Sequence, residues 1–173
     1  MWEELIRIAI AQLDYAYTPY SEFKVGAALL SKDGQIFTGC NIENSAYGPS
    51  NCAERTAIFK AVSEGVRDFK AIAIVGGKHG ELRDYCAPCG VCRQVMMEFC
   101  EPDEFQIIMA KSPKDYRVCT LAELLPLAFS PKMLAAGPAA PTAPEEKLPA
   151  QKASPAAPAA PEMDRNRVEV EQA

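Results

Sequence analysis

The stretch Asn51-Cys52-Ala53-Glu54-Arg55-Thr56-Ala57-Ile58-Phe59-Lys60-Ala61-Val62-Ser63-Glu64 (residues 51–64) sets apolar side chains at helical spacing behind a cysteine. Ala53, Ala57, Ile58, Ala61 and Val62 fall on one stripe, which predicts a half-buried helix over 52–64. Ser50 or Asn51 is expected to cap it. Cys52 opens that helix, and Glu54 stands two residues later on the same turn. A second helix is predicted to begin at Pro88-Cys89-Gly90-Val91-Cys92, 37 residues after Cys52, and to run to about Phe99. Pro88 suits its first turn, and two cysteines three positions apart there face one side.

Outward from these helices the pattern changes to strands. Residues 25–30 and 35–40 read as a hairpin across Ser31-Lys32-Asp33-Gly34, whose Asp-Gly supplies the turn. Residues 71–75 read as a buried strand closed by Gly76-Gly77, followed by a loop with the only histidine, His79. Residues 105–109 and 116–120 are the remaining strands. Leu5, Ile8, Ala9, Leu13 and Ala16 predict a helix over 3–16 ahead of the sheet, and residues 121–125 a short helical segment after it. The order β-β-α-β-α-β-β predicts an α/β fold, a three-layer α/β/α sandwich around a mixed five-stranded sheet.

The chain has 173 residues and a net charge of -5. Its last 39 residues, 135–173, hold 7 of the 14 prolines and 12 alanines and no aromatic residue. They are expected to form a disordered spacer or solubilising appendage to a single domain over 1–134. That body carries 17 acidic and 14 basic side chains, an unfavourable balance for a nucleic-acid polymer as partner. No apolar run approaches the roughly 20 residues that span a bilayer. Met1-Trp2-Glu3-Glu4 lacks the basic start of a secretory signal. A cytoplasmic protein without membrane partners is therefore expected, and its seven cysteines read as thiols or metal ligands.

Cys52, Cys89 and Cys92 lie at two helix starts, where unpaired N–H groups favour the thiolate that zinc binds. Three protein ligands leave a tetrahedral Zn²⁺ one open position, the arrangement of catalytic sites, and a water there becomes nucleophilic near neutral pH. Glu54 is placed to move protons without ligating. Three thiolates leave the site at -1, so a donor must withdraw charge from sulfur. Arg55 is the expected principal donor, with Arg93 beside it. On Cys-x-x-Cys alone, structural zinc and redox chemistry stay open. Cys86 would allow a closed four-cysteine site, and Cys86-x-x-Cys89-x-x-Cys92 an iron–sulfur run were it not that position 96 is Met96. Cys40, Cys100 and Cys119 are expected in the core, and His79 in an exposed loop.

Cys52-Ala53-Glu54 with Pro88-Cys89-x-x-Cys92 resembles the zinc nucleoside deaminases. Phe23-x-Val25-Gly26-Ala27-Ala28, Gly39-Cys40-Asn41-Ile42-Glu43-Asn44, Cys52-Ala53-Glu54-Arg55-Thr56-Ala57 and Glu123-Leu124-Leu125-Pro126-x-x-Phe129 extend the likeness to the small homotetrameric cytidine deaminases, over about residues 5–131. The resemblance implies one zinc per chain on Cys52, Cys89 and Cys92, and hydrolysis of cytidine and 2′-deoxycytidine to uridine and 2′-deoxyuridine with release of ammonia. It implies Glu54 as proton shuttle and Asn41 and Glu43 on the ribose hydroxyls. The Ala53 backbone would meet the pyrimidine carbonyl and Phe23 the base, with Tyr47 and Phe129 reaching a neighbouring subunit's pocket. A polynucleotide-editing deaminase, an enzyme acting on a cytosine-containing antibiotic, and a zinc-stabilised binding protein without catalysis are the competing readings.

Overall fold

The structure is a computed structural model that describes residues 2–134. The Pro/Ala-rich segment 135–173 lies outside the described residues. The elements are α1 (Trp2–Ala11), β1 (Phe23–Ser31), β2 (Ile36–Cys40), α2 (Ala53–Ser63), β3 (Phe69–Lys78), α3 (Gly90–Phe99), β4 (Gln106–Ser112), β5 (Asp115–Thr120), α4 (Leu121–Leu124) and α5 (Pro131–Leu134). The five strands form one sheet in the order β2-β1-β3-β4-β5. Only β3 and β4 run parallel, since α3 provides the crossover between them; the other neighbours are antiparallel. The sheet is mixed, as expected.

Strand alternation sorts the core into two layers. Ala27, Leu29, Ile72, Ile74, Ile107 and Met109 pack with α2 and α3 on one face. Ala28, Ala71, Ala73, Val75, Ile108 and Ala110 pack with Leu5, Ile6 and Ala9 of α1 on the other. Both faces of the central strands are therefore dry, which gives the three-layer sandwich. The small residues facing α1 let it approach closely: a Cβ at Gly26 would lie 2.1 Å from the Ala9 carbonyl.

Tertiary pairing moves several boundaries away from the sequence reading. The first helix ends at Ala11 and tightens into a 3-10 turn over Gln12–Tyr15 rather than continuing to 16. Beyond it, Tyr17 N donates to Asn41 O at 3.0 Å and Glu43 N to Tyr17 O at 2.8 Å, so the chain leaves the helix to brace the 41–43 loop. β3 does not close at Gly76-Gly77 but continues to Lys78, because Val25, Lys24 and Phe23 pair with Gly76, Gly77 and Lys78. Those glycines clear space: added Cβ atoms would meet Cys86 Sγ at 2.8 Å and Glu81 O at 1.8 Å. The caps also differ. Cys52, not Ser50 or Asn51, is the N-cap of α2, and Cys89 is the N-cap of α3; neither helix has a side-chain cap bond. α4 carries a full capping box between Thr120 and Glu123, and α5 has no counterpart in the sequence reading.

Gly39 fixes how α2, and the residues at its start, sit on the sheet. A Cβ there would lie 2.3 Å from Ala53 O and 2.6 Å from Ala57 N. Gly39→Ala is expected to push α2 outward and destabilise the fold by about 1–3 kcal/mol, the usual range for overpacking. The midpoint of denaturant unfolding measures this.

Candidate active site and metal centre

The two N-cap cysteines and Cys92 in the first turn of α3 bring three sulfurs together. Cys52 Sγ lies 3.8 Å from Cys89 Sγ, and Cys89 Sγ 3.5 Å from Cys92 Sγ. All three lie within 4.8 Å of one another. A tetrahedral zinc with bonds of about 2.3 Å separates its sulfurs by about 3.8 Å, so the set fits the ion without rearrangement. Cys86 does not belong to this cluster: its Sγ sits against Gly76, 2.8 Å from where a Cβ there would lie. Among the described residues three thiols gather without a fourth, which fits a three-ligand site better than the closed four-cysteine one. Met96, where an iron–sulfur run would need a fourth cysteine, is fully buried in the core.

The surroundings of Cys52 favour its thiolate. The Cys92 thiol, the Arg55 guanidinium and the Cys89 thiol all donate toward its sulfur and bring it down to about 5, against the opposing effect of burial. Cys92, facing that thiolate, is shifted up, and the bound cation would reverse this. Arg55 Nη2 stands 3.6 Å from Cys52 Sγ and donates to Ser50 O at 3.2 Å. Arg93 does not reach sulfur. Its Nε donates to Pro88 O at 2.8 Å and its Nη1 to Leu124 O at 2.7 Å, because the residue after Cys92 faces α4 rather than the thiols. Arg55→Ala is expected to weaken zinc binding by about 10–100-fold, the usual effect of losing a hydrogen-bond donor to a metal ligand. Competition with a chromophoric chelator measures it; unchanged affinity and turnover would sink the role.

Glu54, the second residue of α2, is only 4% exposed. Burial pushes its carboxyl up to about 7, the nearby Cys52 thiolate adding to the effect while its backbone contacts and Arg55 oppose it. A buried carboxyl beside an open metal position, titrating near neutrality, is equipped to accept and return a proton.

Phe23, Asn41 and Glu43 form one hydrogen-bonded group. Asn41 Oδ1 accepts from Val25 N at 2.8 Å and its Nδ2 donates to Phe23 O at 2.8 Å. Glu43 accepts from Tyr20 N at 2.9 Å, from Ser21 N at 3.3 Å and from the Ser21 hydroxyl, which hold its carboxyl below the usual range. Ser21 Oγ also accepts from Phe23 N at 3.0 Å. The sequence reading passed over Ser21; a serine two residues before an expected site aromatic was the only signal. Phe23 lines a cavity of about 360 Å³ with Gly76, Gly77, Tyr85 and Cys86. Ala53 is buried at the start of α2. Tyr47 and Phe129 remain largely exposed in the single chain, Tyr47 with its ring edge against Tyr20.

Comparison with known proteins agrees with this geometry. The sequence profile described as "Cytidine and deoxycytidylate deaminase zinc-binding region" matches residues 2–109. The cytidine deaminase of Sporosarcina psychrophila is 52% identical over 128 residues, covering 74% of this chain and 90% of that protein. The blasticidin-S deaminase of Bacillus cereus is 31% identical over 131 residues, 73% and 91% of the two chains. The crystal structure of cytidine deaminase from Burkholderia pseudomallei superposes with a TM-score of 0.68 at 48% identity, covering 75% of this chain and 99% of that one. Likeness of this extent, running through both cysteine segments and matched in the backbone, makes the chain a member of the cytidine and deoxycytidylate deaminase family of zinc enzymes.

Proposed function

We propose that the protein removes the exocyclic amine of cytidine and 2′-deoxycytidine by hydrolysis, yielding uridine or 2′-deoxyuridine and ammonia. The observation that carries this reading is Glu54, a buried, non-ligating carboxyl two residues past an N-cap thiol of the three-sulfur site. Cys52, Cys89 and Cys92 would hold the zinc, which when bound would supply the Lewis acid that makes a water nucleophilic near C4. Glu54 takes one proton from the attacking water and gives it to ring N3, then takes the remaining proton from the hydroxyl now on C4 and gives it to the amine as the C4–N bond breaks, leaving the C4 carbonyl and ammonia. The first N–H groups of α2, which no cap side chain occupies, supply donors for the pyrimidine carbonyl at Ala53.

The hydrogen-bond inventory supports both sugars. A carboxylate offers about four acceptor sites and an amide side chain two donors and two acceptors. Glu43 has three of its sites filled within the chain, and Asn41 has one donor and one acceptor filled. One hydroxyl that donates to Glu43 and accepts from Asn41 completes the pair, so a deoxyribose suffices. Higher identity to the cytidine deaminase than to the blasticidin-S deaminase favours the simple nucleoside.

The assembly we propose is a homotetramer. Tyr47 and Phe129, with Tyr15, Tyr17 and Leu127, expose aromatic and aliphatic surface that a neighbouring copy would cover. Among the described residues no helix is long and apolar enough to cross a membrane. All seven cysteines are free, which suits the reducing cytoplasm that thiolate ligands require. Residues 135–173 are proposed to be dispensable: truncation after Leu134 is expected to leave turnover and assembly unchanged, measured by the assay below and by light scattering.

The test of function is the near-ultraviolet absorbance of cytidine on adding zinc-loaded protein, run alongside a cytosine nucleoside with an enlarged sugar. Rapid loss with cytidine supports the proposal. No loss with cytidine but loss with the larger nucleoside would replace it.

A further inference from the structure

Of the three thiols, Cys89 has the weakest support. Cys92 is fully buried within α3, and Cys52 takes its contact from Arg55, whereas Cys89 is exposed. It follows residues 84–88, which have no regular structure. Among the described residues, no main-chain N–H from 84–88 donates a hydrogen bond. The Arg93 bond to Pro88 O holds the near end of this segment. Something else must hold the far end.

Tyr85 does so. Its hydroxyl donates to Asp115 Oδ1. Over its ring lie Lys111 Nζ, 4.6 Å from the centroid, and Arg117 Cζ, 4.5 Å from it. Lys111 Nζ closes the network on Asp115 Oδ2 at 2.9 Å. The meeting point lies on the α2/α3 face: Tyr85 packs against that core cluster, Arg117 pairs with Met109 across the hairpin, and Lys111 is the extra residue where the β4–β5 register shifts between Ala110 and Ser112. The ring therefore seats on the same face of the sheet as the thiol cluster. The next residue presses there too, since Cys86 Sγ occupies the space that the missing Cβ of Gly76 leaves.

We propose that Tyr85 is a positioning residue of the metal centre: by clamping the start of the 84–89 segment to the β4–β5 hairpin, it holds Cys89 against Cys52 and Cys92. This rests on the three-thiol zinc site and not on the identity of the nucleoside. Cation–π contacts and a hydrogen bond to a carboxylate act together here, so the hydroxyl and the ring are separable by substitution.

The test measures zinc affinity by competition with a chromophoric chelator for the wild type, Tyr85→Phe and Tyr85→Leu, with the melting of each metal-free protein as a fold control. Tyr85→Leu is expected to bind zinc about tenfold more weakly. Tyr85→Phe, which keeps the ring and its cation contacts, should fall between it and the wild type. Arg117→Gln removes an exposed partner of the ring, and is expected to weaken zinc binding without adding to the effect of Tyr85→Leu. A merely structural role would lower the metal-free melting temperature and leave zinc affinity unchanged. Wild-type affinity in a folded Tyr85→Leu, or in Arg117→Gln if Tyr85→Leu does not fold, overturns the proposal alone. Failure of the wild type to bind zinc overturns the metal reading with it.

Discussion

Glu54→Gln is expected to lower kcat for cytidine by about 10²–10⁴-fold, the contribution of a positioned proton-transfer group, while zinc content stays at one per chain. Glutamine matches the shape of the carboxyl and keeps an oxygen at the site, so α2 and the thiol cluster need not move. It cannot carry one proton from water to N3 and a second from the C4 hydroxyl to the amine. Absorbance turnover with metal analysis of the same samples checks both halves. An active variant would assign the shuttle to another group.

The same substitution has a stability signature in the metal-free protein. Glu54 has its carboxyl raised from an ordinary 4.5 to about 7. A raised acid contributes stability that is present below the unfolded value and is lost as pH rises through the folded one. Cys52 acts in the opposite sense: its lowered thiol favours the fold more as pH rises from about 5. Comparing variant with wild type isolates Glu54. Glu54→Gln should therefore gain in melting temperature relative to wild type between about pH 4.5 and 7, the carboxylate no longer being buried. A difference that does not change with pH in that window would contradict the buried-carboxyl account.

Cys92→Ala is expected to abolish both stoichiometric zinc and turnover. Cys92 is the ligand fixed most firmly, fully buried on α3, and its loss leaves two thiols for an ion that needs at least three protein donors to stay bound with one position open. The effect on affinity should exceed the 10–100-fold that loss of a supporting hydrogen bond costs. Stability reports it independently. Zinc at about a thousand times its dissociation constant stabilises a folded protein by about 4 kcal/mol, so chelation should visibly lower the melting temperature of the wild type. The melting temperature of Cys92→Ala should not respond to zinc or chelator. A variant that still melts higher with zinc would place the metal elsewhere.

Much of this molecule was legible from local pattern. Short apolar runs bounded by turn residues marked the strands, period-3.6 stripes marked α1 and α2, and Pro88 marked the start of α3. Cysteines at the two helix starts marked the metal site, because helix N-termini and thiolates suit each other wherever they occur. Glu54 was legible for the same reason: one turn of helix places it beside Cys52 whatever the rest of the chain does.

Other features had no local signal. Gly76-Gly77 reads as a strand end, yet β3 passes through it, since pairing with Phe23–Val25 supplies the hydrogen bonds and the crowding of Cys86 and Glu81 requires the missing side chains. Arg55 and Arg93 hold equivalent places after a ligand-bearing segment, but only Arg55 reaches sulfur; Arg93 turns to two carbonyls because α4 lies there. Ser21 became part of the hydrogen-bonded group around Glu43, and Tyr85 part of the support for Cys89, through partners 22 and 30 residues away. The sequence by itself determined the elements, the layer order and the chemistry of the metal set, because each depends on neighbours within a turn or a strand. The tertiary structure alone decided which side chains support that set and where the strands stop, because those choices depend on hydrogen-bond partners and space supplied by distant parts of the chain.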